Sequence, residues 1–261
     1  MLYKVALLFD YIKYLLLAKT RHGTHSPFVY AFADRVLYQK YENPVFYDIE
    51  LIRQKMLQSP TKVNMLDLGA VEKKTYQSTV QKIAASAAKN SKYAKLLHRI
   101  CAAYSPEYCI ELGTNLGISA MYQASGLQNG HLYTLEGNPK LLEIANYNFE
   151  KTGLQEKITS IEGNFDQSLP LLLSQLPRVD YAFIDGNHRK DATLHYVDLI
   201  WQKCHNHSIL ILDDIRWSGE MEEAWHILEK DSRFHVSIDL FMVGILFVRK
   251  EQEKENFILR F

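Results

Sequence analysis

Four short stretches combine residue types and spacings that could do chemistry. The first is Tyr108-Cys-Ile-Glu-Leu-Gly-Thr-Asn-Leu-Gly-Ile-Ser119, in which an apolar run meets an acid, then a glycine-bearing turn, then a helix-like pattern. A strand that ends in such a turn opens a small-molecule site at the carboxyl edge of a parallel sheet. A dinucleotide site would need glycines at 113, 115 and 118, the second so that backbone can approach a pyrophosphate. Gly113 is present, but Asn115 and Ile118 hold the other positions, so the turn suits a ligand without phosphates. The second stretch closes on Glu136, ~20 residues farther on, where an acid can accept hydrogen bonds from both hydroxyls of a ribose. Capping the helix that begins at Pro139 is its competing role.

The other two stretches are Val179-Asp-Tyr-Ala-Phe-Ile-Asp-Gly-Asn-His188 and Ile209-Leu-Ile-Leu-Asp-Asp214. Each ends an apolar run in carboxylates, and adjacent strand ends would bring Asp185, Asp213 and Asp214 within reach of one another. Bare carboxylates that close raise one another's pKa unless a cation or donor lies between them. An all-oxygen set suits magnesium, calcium or manganese. A metal-free arrangement is equally open: Asp185 holds an ammonium group of the ligand, and the Asp213-Asp214 pair caps the helix near Ser218.

The elements that must position these residues follow from periodicity. From residue 108 the chain alternates short apolar runs (108–112, 131–136, 157–162, 179–184, 208–213) with amphipathic stretches (117–126, 139–151, 166–175, 190–204, 219–230). That alternation predicts a doubly wound α/β sheet with helices on both faces. Two strand-like runs, 234–240 and 241–249, then follow with no room for a helix between them. They predict a C-terminal hairpin and hence one antiparallel strand in a seven-stranded, Rossmann-like sheet. The charged run 249–254 reads as a solvated terminus.

Residues 1–90 read as a helical N-terminal extension ahead of the domain at 91–261. Helices are expected to about Lys19, over 28–37, and over 77–89 and 92–103, with Ser26 as N-cap and Pro27 in the first turn. Leu2, Val5, Phe9, Ile12 and Leu16 make an apolar stripe at helical spacing, expected to pack on this chain or on a second copy, in a homodimer through the N-terminal helices. Attachment to a membrane surface is the alternative. Lys4, Asp10 and Lys13 interrupt the stripe, which is too short and charged to span a bilayer and lacks a signal peptide's layout. Met65-Leu-Asp-Leu-Gly-Ala70 mimics the glycine turn but supplies no second glycine, and belongs to the extension, with Asp67 a candidate neighbour of the substrate.

Composition narrows the function classes. Apolar residues make up 47%, enough for a substantial core, and the 30 lysines and arginines balance 30 aspartates and glutamates. No global field recruits nucleic acid. Cys101, Cys109 and Cys204 are odd in number and widely spaced, which disfavours a disulfide framework or structural zinc and fits a reducing cytoplasm.

Residues 108–119 resemble motif I of the class I S-adenosylmethionine-dependent methyltransferases, in the Glu-φ-Gly-Thr-x-x-Gly-x-Ser form of their O-methyltransferase branch. The resemblance covers about residues 92–250. It implies that Glu111, Gly113, Thr114, Gly117 and Ser119 hold the methionine part of S-adenosylmethionine, and Glu136 with Gly137 the ribose. Asn164 stands where the family places a residue that meets the adenine amine, though a simple turn is open there. Asp185, Asp213 and Asp214 resemble the metal site of the catechol- and caffeoyl-CoA-type enzymes, with Asp214 in place of asparagine, implying Mg2+ or another divalent cation. Asp185 without a metal would hold the methionine ammonium. His188 lies where catechol-type enzymes carry a lysine that takes the hydroxyl proton, and an ordinary pKa of ~6.5 suits a histidine to that task. A loop histidine bonded to backbone is the plainer role. The implied activity is methyl transfer to a small-molecule hydroxyl. A non-catalytic adenosyl-binding module, or a methyltransferase acting on RNA or protein, is the alternative.

Overall fold

The computed structural model describes residues 2–40, 42–67, 74–87 and 90–261. The chain divides into two compact units, one made of Met1–Gln39 with Asp180–Phe261 and the other of Lys40–Val179. The boundary expected at 90/91 coincides with neither.

The chain opens with α1 (Leu2–Leu17) and α2 (Pro27–Phe32), the latter continued by a wider π-type turn over Ala33–Leu37. Ser26 caps α2, its hydroxyl accepting from the Val29 amide, and Pro27 stands in the first turn. The apolar stripe of α1 is not its buried face: Phe9 is 61% and Leu16 81% exposed, with Ile12 also exposed, whereas Tyr14 and Ala18 are buried. Tyr14 selects that face, because its ring packs on Phe241 and its hydroxyl donates to the Leu259 carbonyl. The side chains of Leu2 and Val5 lie outside the described residues.

The second unit begins with α3 (Pro44–Met56), β1 (Lys62–Asp67), β2 (Lys74–Thr79), α4 (Val80–Ala87) and α5 (Ser91–Tyr104). The first ninety residues are therefore not all helical. β1 and β2 pair antiparallel from Lys62↔Thr79 to Asp67↔Lys74. The second half of the glycine-turn mimic at 65–70 and the side chain of Asp67 lie outside the described residues. Asn90 caps α5 through the Lys92 amide, and Ser105 ends it in a left-handed conformation (φ 46°). Then come β3 (Tyr108–Leu112), α6 (Ile118–Gly126), β4 (His131–Glu136), α7 (Pro139–Lys151), β5 (Ile158–Glu162) and α8 (Phe165–Gln175). β3, β4 and β5 pair in parallel.

The remaining elements are β6 (Val179–Ile184), α9 (Lys190–Trp201), β7 (Cys204–Leu212), α10 (Gly219–Lys230), β8 (Val236–Asp239), β9 (Gly244–Phe247) and β10 (Glu255–Ile258). β6 is buried at all six positions, as a strand covered on both faces must be. β9 runs antiparallel to both β7 and β8. In the unit Met1–Gln39 with Asp180–Phe261 the strand order is β10-β8-β9-β7-β6, and in the unit Lys40–Val179 it is β3-β4-β5, mostly parallel and Rossmann-like. Among the described residues these are eight strands rather than the expected seven. The extra one, β10, follows the charged run 249–254 and pairs parallel with β8.

Candidate active site

In the unit Lys40–Val179, the turn after β3 is tied to the end of β4. The Gly113 and Thr114 amides both donate to the Leu135 carbonyl, at 3.0 and 3.2 Å. Gly113, Asn115 and Gly117 all adopt positive φ (103°, 48° and 83°). Glycine is required at 117, because a Cβ there would stand 2.6 Å from the Phe149 ring. Gly117 opens α6 with no side-chain cap, so the first-turn amides beside the buried Ser119 lack a protein acceptor of the usual kind. A helix start of this kind favours a carboxylate.

Glu111 lies under this turn and is fully buried. Its two oxygens accept from Gln123 Nε2 (2.6 Å) and Thr134 Oγ1 (2.5 Å), and Thr134 Oγ1 lies 2.6 Å from Thr114 Oγ1. The acid thus braces the turn from within the protein. Gln123 and Thr134 escaped the sequence reading, since nothing local marks partners 12 and 23 residues away.

Glu136 stands at the end of β4 with one oxygen accepting from the Asn115 amide and the other from the Asn138 amide, both at 2.9 Å. Burial pushes its pKa up, and the amides of Asn115, Asn138 and Gly137 pull against that shift without cancelling it. It does not cap α7. Asn138 does, accepting from the Lys140 and Leu141 amides. Asn115 was also missed, although asparagine tolerates its left-handed conformation better than most residues. Its Oδ1 is buried with no hydrogen-bond partner among the described residues. Gly137, half-buried, follows Glu136 directly. Asn164 caps α8, its Oδ1 accepting from the Asp166 amide at 3.0 Å. That role occupies part of the acceptor expected to meet adenine.

The unit formed by Met1–Gln39 and Asp180–Phe261 carries the acids. Asp185 follows β6, with His188 Nε2 3.7 Å from its Oδ1; their side chains are 17% and 29% exposed. Asn187, between them in sequence, has φ 53° and donates to the Tyr196 hydroxyl at 3.1 Å. The Asp213 amide donates to the Ile184 carbonyl, which sets the buried Asp213 beside the end of β6. Asp214 takes φ 52°, and its carbonyl accepts from the Trp217 amide. The helix that follows is capped by the Ser218 hydroxyl, which accepts from Met221, and not by the Asp213-Asp214 pair. Among the described residues no group of three or more His, Cys, Asp or Glu side chains is disposed to hold a metal ion, so the expected set Asp185, Asp213 and Asp214 is not assembled as one. Arg216 forks onto Asp239 in a largely buried pair and also donates to the Phe241 carbonyl, which fixes the loop after β7.

Residues 110–215 match the family model of the methyltransferase domain. The chain is 25% identical over 191 residues to the O-methyltransferase imqG of Aspergillus flavus, covering 71% of this chain and 75% of that protein. It is 26% identical over 137 residues to the catechol O-methyltransferase of Mycobacterium tuberculosis, covering 52% of this chain and 60% of that one. It thus spans less than two thirds of that enzyme's length. Its fold matches the O-methyltransferase TomG from Streptomyces achromogenes, solved in complex with SAM, with a TM-score of 0.59 at 14% identity, covering 84% of this chain and 94% of that one. Residues 110–215 thus match a methyltransferase domain, and the chain is similar to O-methyltransferases in sequence and in fold.

Proposed function

We propose that the protein transfers the methyl group of S-adenosylmethionine to a hydroxyl oxygen of a small-molecule acceptor. The observation that carries this reading is the uncapped start of α6, set on a glycine turn whose Asn115 amide is bonded to the Glu136 carboxylate. One feature suits the carboxylate of a methionine moiety, the other the hydroxyls of a ribose. The buried Oδ1 of Asn115 adds an open acceptor at the same turn. Once bound, the sulfonium supplies an already activated methyl group. The chain's task is then to orient, exclude water and take up a proton.

In this reading Gly113, Thr114, Gly117 and Ser119 hold the methionine part, and Glu111 positions the turn through Gln123 and Thr134. Glu136 and Gly137 hold the ribose, and Asn164 stands at the adenine. Asp185 orients the incoming groups and His188 takes the hydroxyl proton as the oxygen–methyl bond forms. No step is assigned to a divalent cation, because Asp185, Asp213 and Asp214 are not arranged as a ligand set. Loss of activity on dialysis against EDTA, with recovery on adding magnesium, would overturn that assignment. The three free cysteines fit a reducing cytoplasm, and the exposed Phe9, Ile12 and Leu16 of α1 fit a homodimer contact. No described helix is long and apolar enough to cross a membrane.

The test combines calorimetry with S-adenosylhomocysteine and transfer of a labelled methyl group to a panel of hydroxylated aromatics. We expect stoichiometric binding and turnover of at least one acceptor. His188→Gln should lower kcat by about 10²–10⁴-fold while leaving affinity for the product S-adenosylhomocysteine unchanged. Absence of binding heat in well-folded protein sinks the reading.

A further inference from the structure

A cavity of about 490 Å3 lies within the unit Lys40–Val179, bounded by α3, the start of α4 and the C-terminal half of α7. It includes none of the residues assigned above to the adenosyl ligand, and its volume is that of a small-molecule site. Its floor is apolar, with Ile52, Met56 and Val80 buried there. Lys55 and Lys151 stand exposed among its lining residues against a single acid, Asp48. Among the described residues neither lysine has an ion-pair partner; Lys151 Nζ lies 5.0 Å from the centroid of the Tyr147 ring. Lysines in the last turns of helices also offset the helix dipole. That role alone needs no apolar hollow between them.

One wall of the cavity is mechanically joined to the motif turn. Asn148, a buried lining residue, donates from Nδ2 to the Leu116 carbonyl at 2.9 Å and lies 3.4 Å from Met56 Sδ. Its neighbour Phe149 is the ring that leaves no room for a side chain at position 117. A ligand that shifts this part of α7 therefore acts on two contacts of the turn that starts α6, the Asn148–Leu116 bond and the Phe149 ring at Gly117.

We propose that this cavity binds a small amphiphilic anion, an aryl or alkyl carboxylate, and that its occupancy changes the affinity of the motif turn for the adenosyl ligand. The apolar floor takes the hydrocarbon part, and the two lysines take the carboxylate. The binding claim stands by itself; the coupling claim rests on the methyltransferase reading.

The probes are 4-phenylbutyrate and its neutral counterpart 4-phenyl-1-butanol, titrated into the full chain and followed by amide NMR. The expected result is saturable shifts centred on Ile144, Asn148 and Lys151, with the acid binding about five- to tenfold tighter than the alcohol, as two partly exposed ion pairs would give. The double variant Lys55→Gln with Lys151→Gln, at exposed positions, should lose at most a few degrees of melting temperature, the helix-dipole contribution, and lose that preference. Shifts that map elsewhere, or equal affinity for acid and alcohol, overturn the binding claim. Saturating 4-phenylbutyrate should change the calorimetric Kd of S-adenosylhomocysteine severalfold, with the reciprocal effect of equal size. An unchanged Kd overturns the coupling. Failure of S-adenosylhomocysteine to bind even without the probe sinks the methyltransferase reading and the coupling together, while the shifts still decide the cavity.

Discussion

Breaking the Arg216–Asp239 pair should cost far more than an ordinary ion pair. Arg216 Nη1 and Nη2 donate to Asp239 Oδ1 and Oδ2 at 2.8 and 2.5 Å, with side chains only 14% and 6% exposed. Asp239 Oδ1 also accepts from the Phe241 amide at 2.8 Å, holding a residue at φ 75° whose ring packs on Tyr11 and Tyr14 of α1. Burial would ordinarily lower the pKa of Arg216, yet the Asp239 carboxylate holds it above its usual value. Asp239→Ala leaves a guanidinium buried without its counter-charge, a change that costs about 3–5 kcal/mol. The orphaned Phe241 amide adds about 1 kcal/mol. Against a total stability of roughly 5–15 kcal/mol, the variant should melt roughly 8–15 °C lower. Replacing both residues, Arg216→Met with Asp239→Leu, should restore much of the loss, because two well-packed apolar groups carry no stranded charge. The assay is urea unfolding of Asp239→Ala and, for a double-mutant cycle, of Arg216→Met, Asp239→Leu and the variant that combines these two. A single-variant loss below about 1 kcal/mol, the range of an exposed pair, or single losses that simply add in the double variant, would refute the assignment of this pair as a buried clamp on the loop after Asp214.

Three further outcomes follow from single positions. Gly117→Ala should weaken S-adenosylhomocysteine binding at least about tenfold, since the Cβ meets Phe149 at 2.6 Å and φ is 83°; Phe149→Leu in the same chain should recover part of the loss, measured by calorimetry. Glu136 has its pKa raised by burial, so its proton is held more tightly in the folded chain, and the stability it lends is full below its unfolded value near ~4.3 and lost as pH rises through the folded one. Wild type should therefore lose stability relative to Glu136→Gln over that rise, in denaturation series at several pH values, while the variant binds the adenosyl ligand more weakly. His98 is buried, and burial pushes its pKa down to about 4. Its unfolded form takes a proton first, so the protein should lose up to about 3 kcal/mol as pH falls from ~6.5 toward 4, and His98→Gln should flatten that slope in chemical denaturation.

Much of the doubly wound part was legible because its signals are local. Apolar runs bounded by Asn138-Pro139 or Gly153 are short enough to be strands or helices on their own evidence, and β3, β4, β6 and α7 begin and end where the pattern placed them. The hairpin β1–β2 was not legible, since strands such as Lys74-Thr-Tyr-Gln-Ser-Thr79 are mostly polar and owe their form to each other. The strand β10 was hidden for a similar reason: its four residues alternate weakly and gain their partner only from β8.

By itself the sequence determined the alternating α/β order, the glycine turn at 113–117, and the acids that end β4 and β6, because strand period and turn chemistry act over a few residues. Only the tertiary structure decided that Glu111 spends both oxygens on Gln123 and Thr134, that Asn138 and Ser218 do the capping, and that α1 buries Tyr14 rather than its apolar stripe. Those outcomes depend on which groups meet across tens or hundreds of residues. A buried polar atom takes whatever partner the packed chain brings within hydrogen-bond reach.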